Sequence, residues 1–278
     1  MLVTDAQIHL WEIERPDRPW PKDGRAKPHR PDGFTAEQML AEMDPIGVNR
    51  AVIVPPSWIG ETNDYALEAA AKYPDRFAVM GRFDPAAPGS IELLPTWLQQ
   101  PHMLGIRVTF NAPNLVSGLD SGMFDPLWAG CERHEIPVMA LFSGPLQAKV
   151  PPIVERYPGL RLIIDHMGRI PSAHGPEAFA DLDLLLALAK YPNVWVKTSC
   201  APTHSDDVFP YPDLHPHLQR IYEAFGAQRL LWGSDITRLR GTYDECLRLF
   251  TEALEFLSDE DKEWILGKSL AEVLRWPG

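Results

Sequence analysis

The sequence predicts an α/β protein folded as one (β/α)8 barrel of the TIM type. Three observations lead there. Eight short, apolar, β-branched runs recur along 278 residues. Helix-patterned stretches lie between most of them, and that alternation implies parallel βαβ units. The length is close to the roughly 200–250 residues that such barrels use as a single domain, so 1–278 is read as one unit. Doubly wound sheets share the alternation, but a count of eight at fairly even spacing favours the closed barrel.

The expected strands are 2–8, 51–54, 77–82, 105–110, 137–142, 160–165, 194–198 and 229–233. The expected helices are 35–47, 63–73, 124–135, 176–190, 214–225 and 243–257, each with 3.6-residue patterning. Thr35 and Gln38 stand at capping-box spacing. Asn63 is placed to cap the alanine-rich second helix. Residues 14–33 form an irregular loop after the first strand, with Pro16, Pro19, Pro21, Pro28 and Pro31. Barrel active sites lie on that face. The loop is therefore either a border of the pocket or a surface excursion.

Hydrophobic residues make up 45% of the chain and charged residues 23%, ordinary globular values. The formal net charge of −12 opposes nucleic-acid binding, which calls for a basic face. Cys131, Cys200 and Cys246 are far apart and odd in number, which opposes a disulfide framework or zinc knuckle. No signal-peptide pattern opens the chain and no apolar run reaches membrane-spanning length. The expectation is a soluble, cytoplasmic protein acting on a small molecule, with a homo-oligomer left open and no nucleic-acid or membrane partner.

The chemistry concentrates at strand ends. Asp5, Gln7 and His9 alternate along the first strand and so should share one face. The sixth apolar run ends in Asp165-His166 and turns through Gly168. Ionisable groups are seldom buried without partners, so this ending points to a site. The eighth run ends in Ser234-Asp235, where Asp235 suits either a helix cap or a catalytic carboxylate. On a barrel these three ends converge in space. Arg107 and Lys197 lie inside strands and require anionic partners, from the protein or a substrate. Arg82 and Arg238, at strand ends, pose the same choice. Cys200 reads as a structural thiol, and His204, His215 and His217 as solvated loop residues.

Together, Asp5-Ala6-Gln7-Ile8-His9-Leu10-Trp11, Gly105-Ile106-Arg107, Asp165-His166-Met167-Gly168 and Trp232-Gly233-Ser234-Asp235 resemble the amidohydrolase-related family over nearly the whole chain. The nearest flavour is its sugar-lactone and 2-pyrone-4,6-dicarboxylate lactonase subgroup. The resemblance implies a (β/α)8-barrel hydrolase in which Asp235 activates water and His166 contacts the scissile carbonyl or leaving oxygen. His9 matches the second histidine of the family's first-strand pair. Gln7 stands where metal-using members carry the first, and 137–143 has no histidine where many carry a ligand. Near the C-terminus Gly267-Lys268-Ser269-Leu270 replaces the family's usual G-x-N-A. Neutral Gln is a poor zinc ligand. No cofactor is expected to be required. The alternative is one divalent zinc or manganese on His9, His166 and Asp235.

The expected reaction is opening of a small, acidic lactone by Asp235-activated water. His9, His166 and Arg107 would stabilise the oxyanion, and Gln7, Arg107, Lys197, Arg82 and Arg238 would bind substrate. The rivals are metal-dependent decarboxylation of an aromatic or muconate-type acid and an inactive barrel that binds a small acid.

Overall fold

The computed structural model describes residues 1–22, 27–110 and 113–276. Its strands are β1 Thr4–Ile8, β2 Arg50–Ile53, β3 Phe77–Arg82, β4 Met103–Thr109, β5 Val138–Leu141, β6 Leu162–Ile164, β7 Val194–Lys197 and β8 Leu230–Leu231. They pair in parallel, each with the next, in one eight-stranded sheet. Two main-chain bonds bring the last strand to the first. Ala6 N–H donates to the Trp232 carbonyl (3.0 Å), and Asp235 N–H donates to the Gln7 carbonyl (2.8 Å). Gly233 makes this seam possible, because a Cβ there would lie 3.1 Å from Gln7 N and from Ser199 Cβ.

Alternation sorts each strand's side chains into two packed layers. Ala6, Val52, Val54, Met80, Met139, Ile163 and Leu231 fill the barrel, with Leu270, Val273 and Leu274 of the last helix, Ser269–Leu274, plugging its lower end. The outward-facing residues, such as Ile53, Val79, Ile106, Ala140, Ile164 and Val196, pack in the larger core with the surrounding helices. Toward the C-terminal end of the strands the interior turns polar.

The helices follow the expected pattern with instructive departures. Ala36–Met43 opens on the Thr35–Gln38 capping box. Asn63 does not cap Asp64–Lys72. Its amide pairs instead with the main chain of Arg82, accepting from N (2.7 Å) and donating to O (3.2 Å). The expected helix 176–190 is broken into Gly175–Ala178, Leu182–Leu186 and a 3-10 turn, Ala187–Lys190. Buried Arg169 reaches into the first break, donating to the Ala178 carbonyl (2.9 Å) and pairing with Asp181. The helix expected over 243–257 is α-helical only over Tyr243–Arg248, then widens into a π-turn, Leu249–Ala253. The loop after β1 is pinched at its base by paired main-chain bonds between Trp11 and Phe34 (3.0 and 2.8 Å). Residues 23–26 of that loop lie outside the described residues. No helix among the described residues is long and apolar enough to cross a membrane.

Candidate active site

The first strand departs from strict alternation. Its register shifts between Asp5 and Ile8, so Asp5 parts from Gln7 and His9. Asp5 turns into the β1–β8 seam, where it accepts from Ser234 N (2.8 Å), Ser234 Oγ (2.5 Å), Tyr243 Oη (2.9 Å) and Gln7 N (2.9 Å). Burial pushes its carboxyl up to about 6 against the pull of those bonds. Asp5 is thus a buried pin of the barrel seam, and the shared face expected for three residues belongs to two.

Gln7 and His9 open onto a charged layer above the apolar interior. Asp165 sits in its middle, fully buried, paired with Arg107 Nε and with Lys197 Nζ (2.6 Å). Burial alone would raise the Asp165 pKa, but the two cations reverse this and hold it well below the carboxylate range. Lys197 is also fully buried, and burial draws its ammonium below the usual lysine range while Asp165 opposes the shift. Its Nζ donates to Gln7 Oε1 (2.6 Å). An ammonium can only donate, so this contact fixes which end of the amide is oxygen. Gln7 Nε2–H therefore donates to His9 Nε2 (3.2 Å). On the other side of the ring, His9 Nδ1–H donates to the Val54 carbonyl (2.6 Å). Desolvation lowers the His9 pKa to about 3, so the ring is neutral with its lone pair on Nε2.

Asp235 lies beside the same ring nitrogen, with Oδ1 3.4 Å from His9 Nε2. It holds a left-handed conformation (φ 50°), and its side chain caps nothing in the following turn. The carboxylate is only 1% exposed, and Oδ1 accepts no hydrogen bond from the described protein. Its other oxygen lies 3.8 Å from His166 Nε2 and 3.9 Å from Arg238 Nε. His166 is likewise left-handed (φ 51°), followed by Met167 (56°) and Gly168 (65°). Strained backbone of this kind persists where the surroundings impose it, and sites are where it concentrates. Here the turn folds His166 back over the barrel mouth. A Cβ at Gly168 would stand 2.4 Å from Gln147 Oε1, so glycine is required there. Desolvation lowers His166 to about 3, with Asp235 and Asp165 opposing. Ser199 Oγ lies 2.8 Å from its Nδ1. With Ser199 donating, Nε2 carries the proton and points it at the Asp235 carboxylate, the favoured electrostatic arrangement.

These groups line a cavity of about 450 Å³ at the barrel mouth. His9, His166, Asp235, Arg107, Arg82 and Arg238 all border it, and Gln7 and Lys197 lie beneath the lining. Arg107 also donates from Nη1 to Thr109 Oγ1 (2.8 Å). Arg82 forms a two-pronged pair with Glu61 (3.1 and 3.0 Å). Sequence reasoning missed Trp58, Glu61, Asp84 and His29. The position of the proline-rich loop was the one available signal: its His29 ring packs tilted against Trp58, with centroids 4.6 Å apart, and reaches Thr237 Oγ1 (2.8 Å), so that loop borders the pocket. His204 is buried rather than solvated, with Nδ1 donating to the Ala173 carbonyl (2.8 Å). Burial pushes the Cys200 thiol up to about 12, in keeping with a structural role.

A matching family model, described as amidohydrolase, covers residues 4–276. The chain belongs to this family. Among curated amidohydrolase relatives, an L-fucono-1,5-lactonase of Burkholderia ambifaria is 28% identical over 87% of this chain and 83% of its own. A 4-sulfomuconolactone hydrolase of Rhizobium radiobacter is 27% identical over 75% of this chain and 68% of its own. A solved amidohydrolase from Burkholderia multivorans with bound zinc superposes over the full length of both chains, with a TM-score of 0.82 and 23% identity.

The donor set here fits a resident metal poorly. Among the described residues, no group of three or more His, Cys, Asp and Glu side chains is placed to hold one. Gln7 presents N–H, not oxygen, to the space between His9 and Asp235, and that N–H occupies the lone pair a metal would need.

Proposed function

We propose that this amidohydrolase opens a small lactone by attack of a water activated by Asp235, without a resident metal. One observation carries the reading: a buried carboxylate, with one oxygen that accepts no hydrogen bond from the described residues, lies beside a neutral histidine at a barrel mouth. An unsatisfied buried acceptor is costly, and a water is the donor such a site takes up. Both lactone-hydrolysing relatives support the choice of reaction.

Asp235 takes a proton from water as the water oxygen bonds to the lactone carbonyl carbon. The carbonyl oxygen becomes an oxyanion, which His166 Nε2–H and the Arg107 guanidinium are placed to meet. Collapse of the intermediate breaks the ring C–O bond, and the leaving oxygen takes the proton from Asp235. His9 plays a different part from the one expected. Its Nδ1 proton is committed to Val54 and its Nε2 lone pair to Gln7, so the ring has no proton to offer the oxyanion and serves as a fixed wall beside Asp235, leaving oxyanion stabilisation to the other two groups.

Charge in the cavity favours a neutral lactone over the expected acidic one. Arg82 is matched by Glu61 and Arg238 by Asp235, and Asp165 with Asp84 balances Arg107 and Lys197, so the four cations face four carboxylates and no net positive charge is left to select an anion. The test is Asp235→Asn. It should lower kcat on the responsive lactone roughly 10²–10⁴-fold with KM largely kept. Near wild-type kcat would overturn the mechanism.

A further inference from the structure

A second cavity, of about 580 Å³, lies beside the first, between the segments after β2 and β3. The two share Glu61, Arg82, Phe83 and Asp84, so the Glu61–Arg82 ion pair is a partition between them. We propose that this second cavity is a subsite for a neutral, hydroxyl-rich ring attached to the lactone, as in a glycosylated aldonolactone. The proposal rests on the lactonase reading and extends it to a larger substrate.

The lining has the two characters a sugar ring requires. Leu93 is 51% exposed beside Pro88, an apolar face left open by the described residues. Ser90 is 7% exposed, and its hydroxyl has no partner among the described residues. Its oxygen is covered in this conformation, so a turn of the short side chain is needed to bring it to a ligand hydroxyl, which would then satisfy a group whose unpaired burial costs roughly 1–3 kcal/mol. Glu61, Asp64 and Asp84 outnumber the single cation, Arg82, in the lining, so an anionic occupant is disfavoured. Carboxylates accept well from sugar hydroxyls. The partition is side chain rather than main chain, with Glu61 partly exposed at 30%. A rotamer change there joins the two cavities without moving the barrel.

The experiment compares kcat/KM for a panel of aldonolactones and their glycosylated counterparts in wild type, Ser90→Ala and Ala87→Phe. Ala87 lines the second cavity and lies away from Asp235 and both histidines, so phenylalanine there fills the subsite. Wild type should prefer the glycosylated lactone at least about tenfold. Ala87→Phe should erase that preference while the simple lactone keeps its rate within about twofold. Ser90→Ala should reduce the preference roughly 2–10-fold, the worth of one hydrogen bond. A preference absent in wild type, or equal in all three proteins, overturns the subsite. Asp235→Asn separates the two ideas: if it hydrolyses both lactones as wild type does, the catalytic reading fails and the subsite is judged on binding. Saturation-transfer NMR with the free neutral disaccharide supplies that reading. Signal from wild type that Ala87→Phe loses supports the subsite, and signal absent from wild type or equal in both refutes it.

Discussion

Replacing Lys197 by Met tests the charged layer beneath the cavity. Met keeps most of the volume and removes the ammonium. Three contacts vanish, the 2.6 Å pair with Asp165, the 2.6 Å bond to Gln7 Oε1 and the weak 3.2 Å contact with Met139 Sδ. Breaking a buried pair by deleting one partner costs about 3–5 kcal/mol, because the remaining charge stays buried. Asp165 keeps Arg107 as a second cation, so the lower end applies, about 3 kcal/mol. At about 2–4 °C per kcal/mol for a chain of this size, the thermal midpoint should fall by roughly 6–12 °C. Activity should fall as well, because Gln7 loses the contact that fixes its amide. A turned Gln7 would present oxygen to His9 Nε2, setting acceptor against acceptor. Scanning calorimetry and kcat on the responsive lactone read the two effects. Lys197→Met/Asp165→Asn leaves buried Arg107 without its carboxylate as well, and should lower the midpoint further while activity stays low. A midpoint within about 2 °C of wild type for the single variant would refute the ion-pair account. Unchanged kcat would refute the orienting role of Gln7.

Three further outcomes are expected. His9 and His166 have folded pKa values of about 3 against an ordinary 6.5, so the stability they contribute is present above 6.5 and is lost as pH falls toward 3. His166→Asn should show a flatter fall in thermal midpoint between pH 7 and 4 than wild type, and parallel curves would contradict this. Asp5 behaves oppositely: its pKa is raised from 3.8 to about 6, so its contribution is full below 3.8 and is lost as pH rises through 6. The midpoint of Asp5→Asn relative to wild type should therefore climb from pH 4 to pH 8, and a constant difference would count against a shifted Asp5. Elemental analysis should find well under one metal per chain, with activity surviving chelation. About one zinc per chain, together with chelator-sensitive turnover, would reverse the metal-free proposal.

Much of this protein was legible from local pattern. Strand positions follow from β-branched runs between turns, and the expected 77–82 coincides with β3 as observed. Eight such runs alternating with helical ones leave the barrel as the closed solution, and its geometry brings strand ends together. That is why His9, His166 and Asp235 could be gathered in advance, and the 3.4 Å between His9 and Asp235 bears out that convergence. Alternation failed where the backbone departed from it. The register shift in β1 sent Asp5 to the seam, and no residue in the first strand signals such a shift, which arises from pairing with β2. The capping choice at Asn63 likewise depended on Arg82, which meets it only after β3 is in place.

What the sequence determined by itself is whatever depends on neighbours within a few residues: strand and helix periods, the Thr35 cap, the glycine turn after His166. What only the tertiary structure decided is whatever depends on partners far along the chain. Arg107 and Lys197 needed anionic partners, and Asp165 supplies one by lying between them, while Arg107 still borders the cavity. The tautomer of His9 is set by Val54 and Gln7, and the orientation of Gln7 by Lys197, 190 positions away. Charge and hydrogen bonding in a buried layer act through space, so the residues that govern them carry no mark in the local sequence.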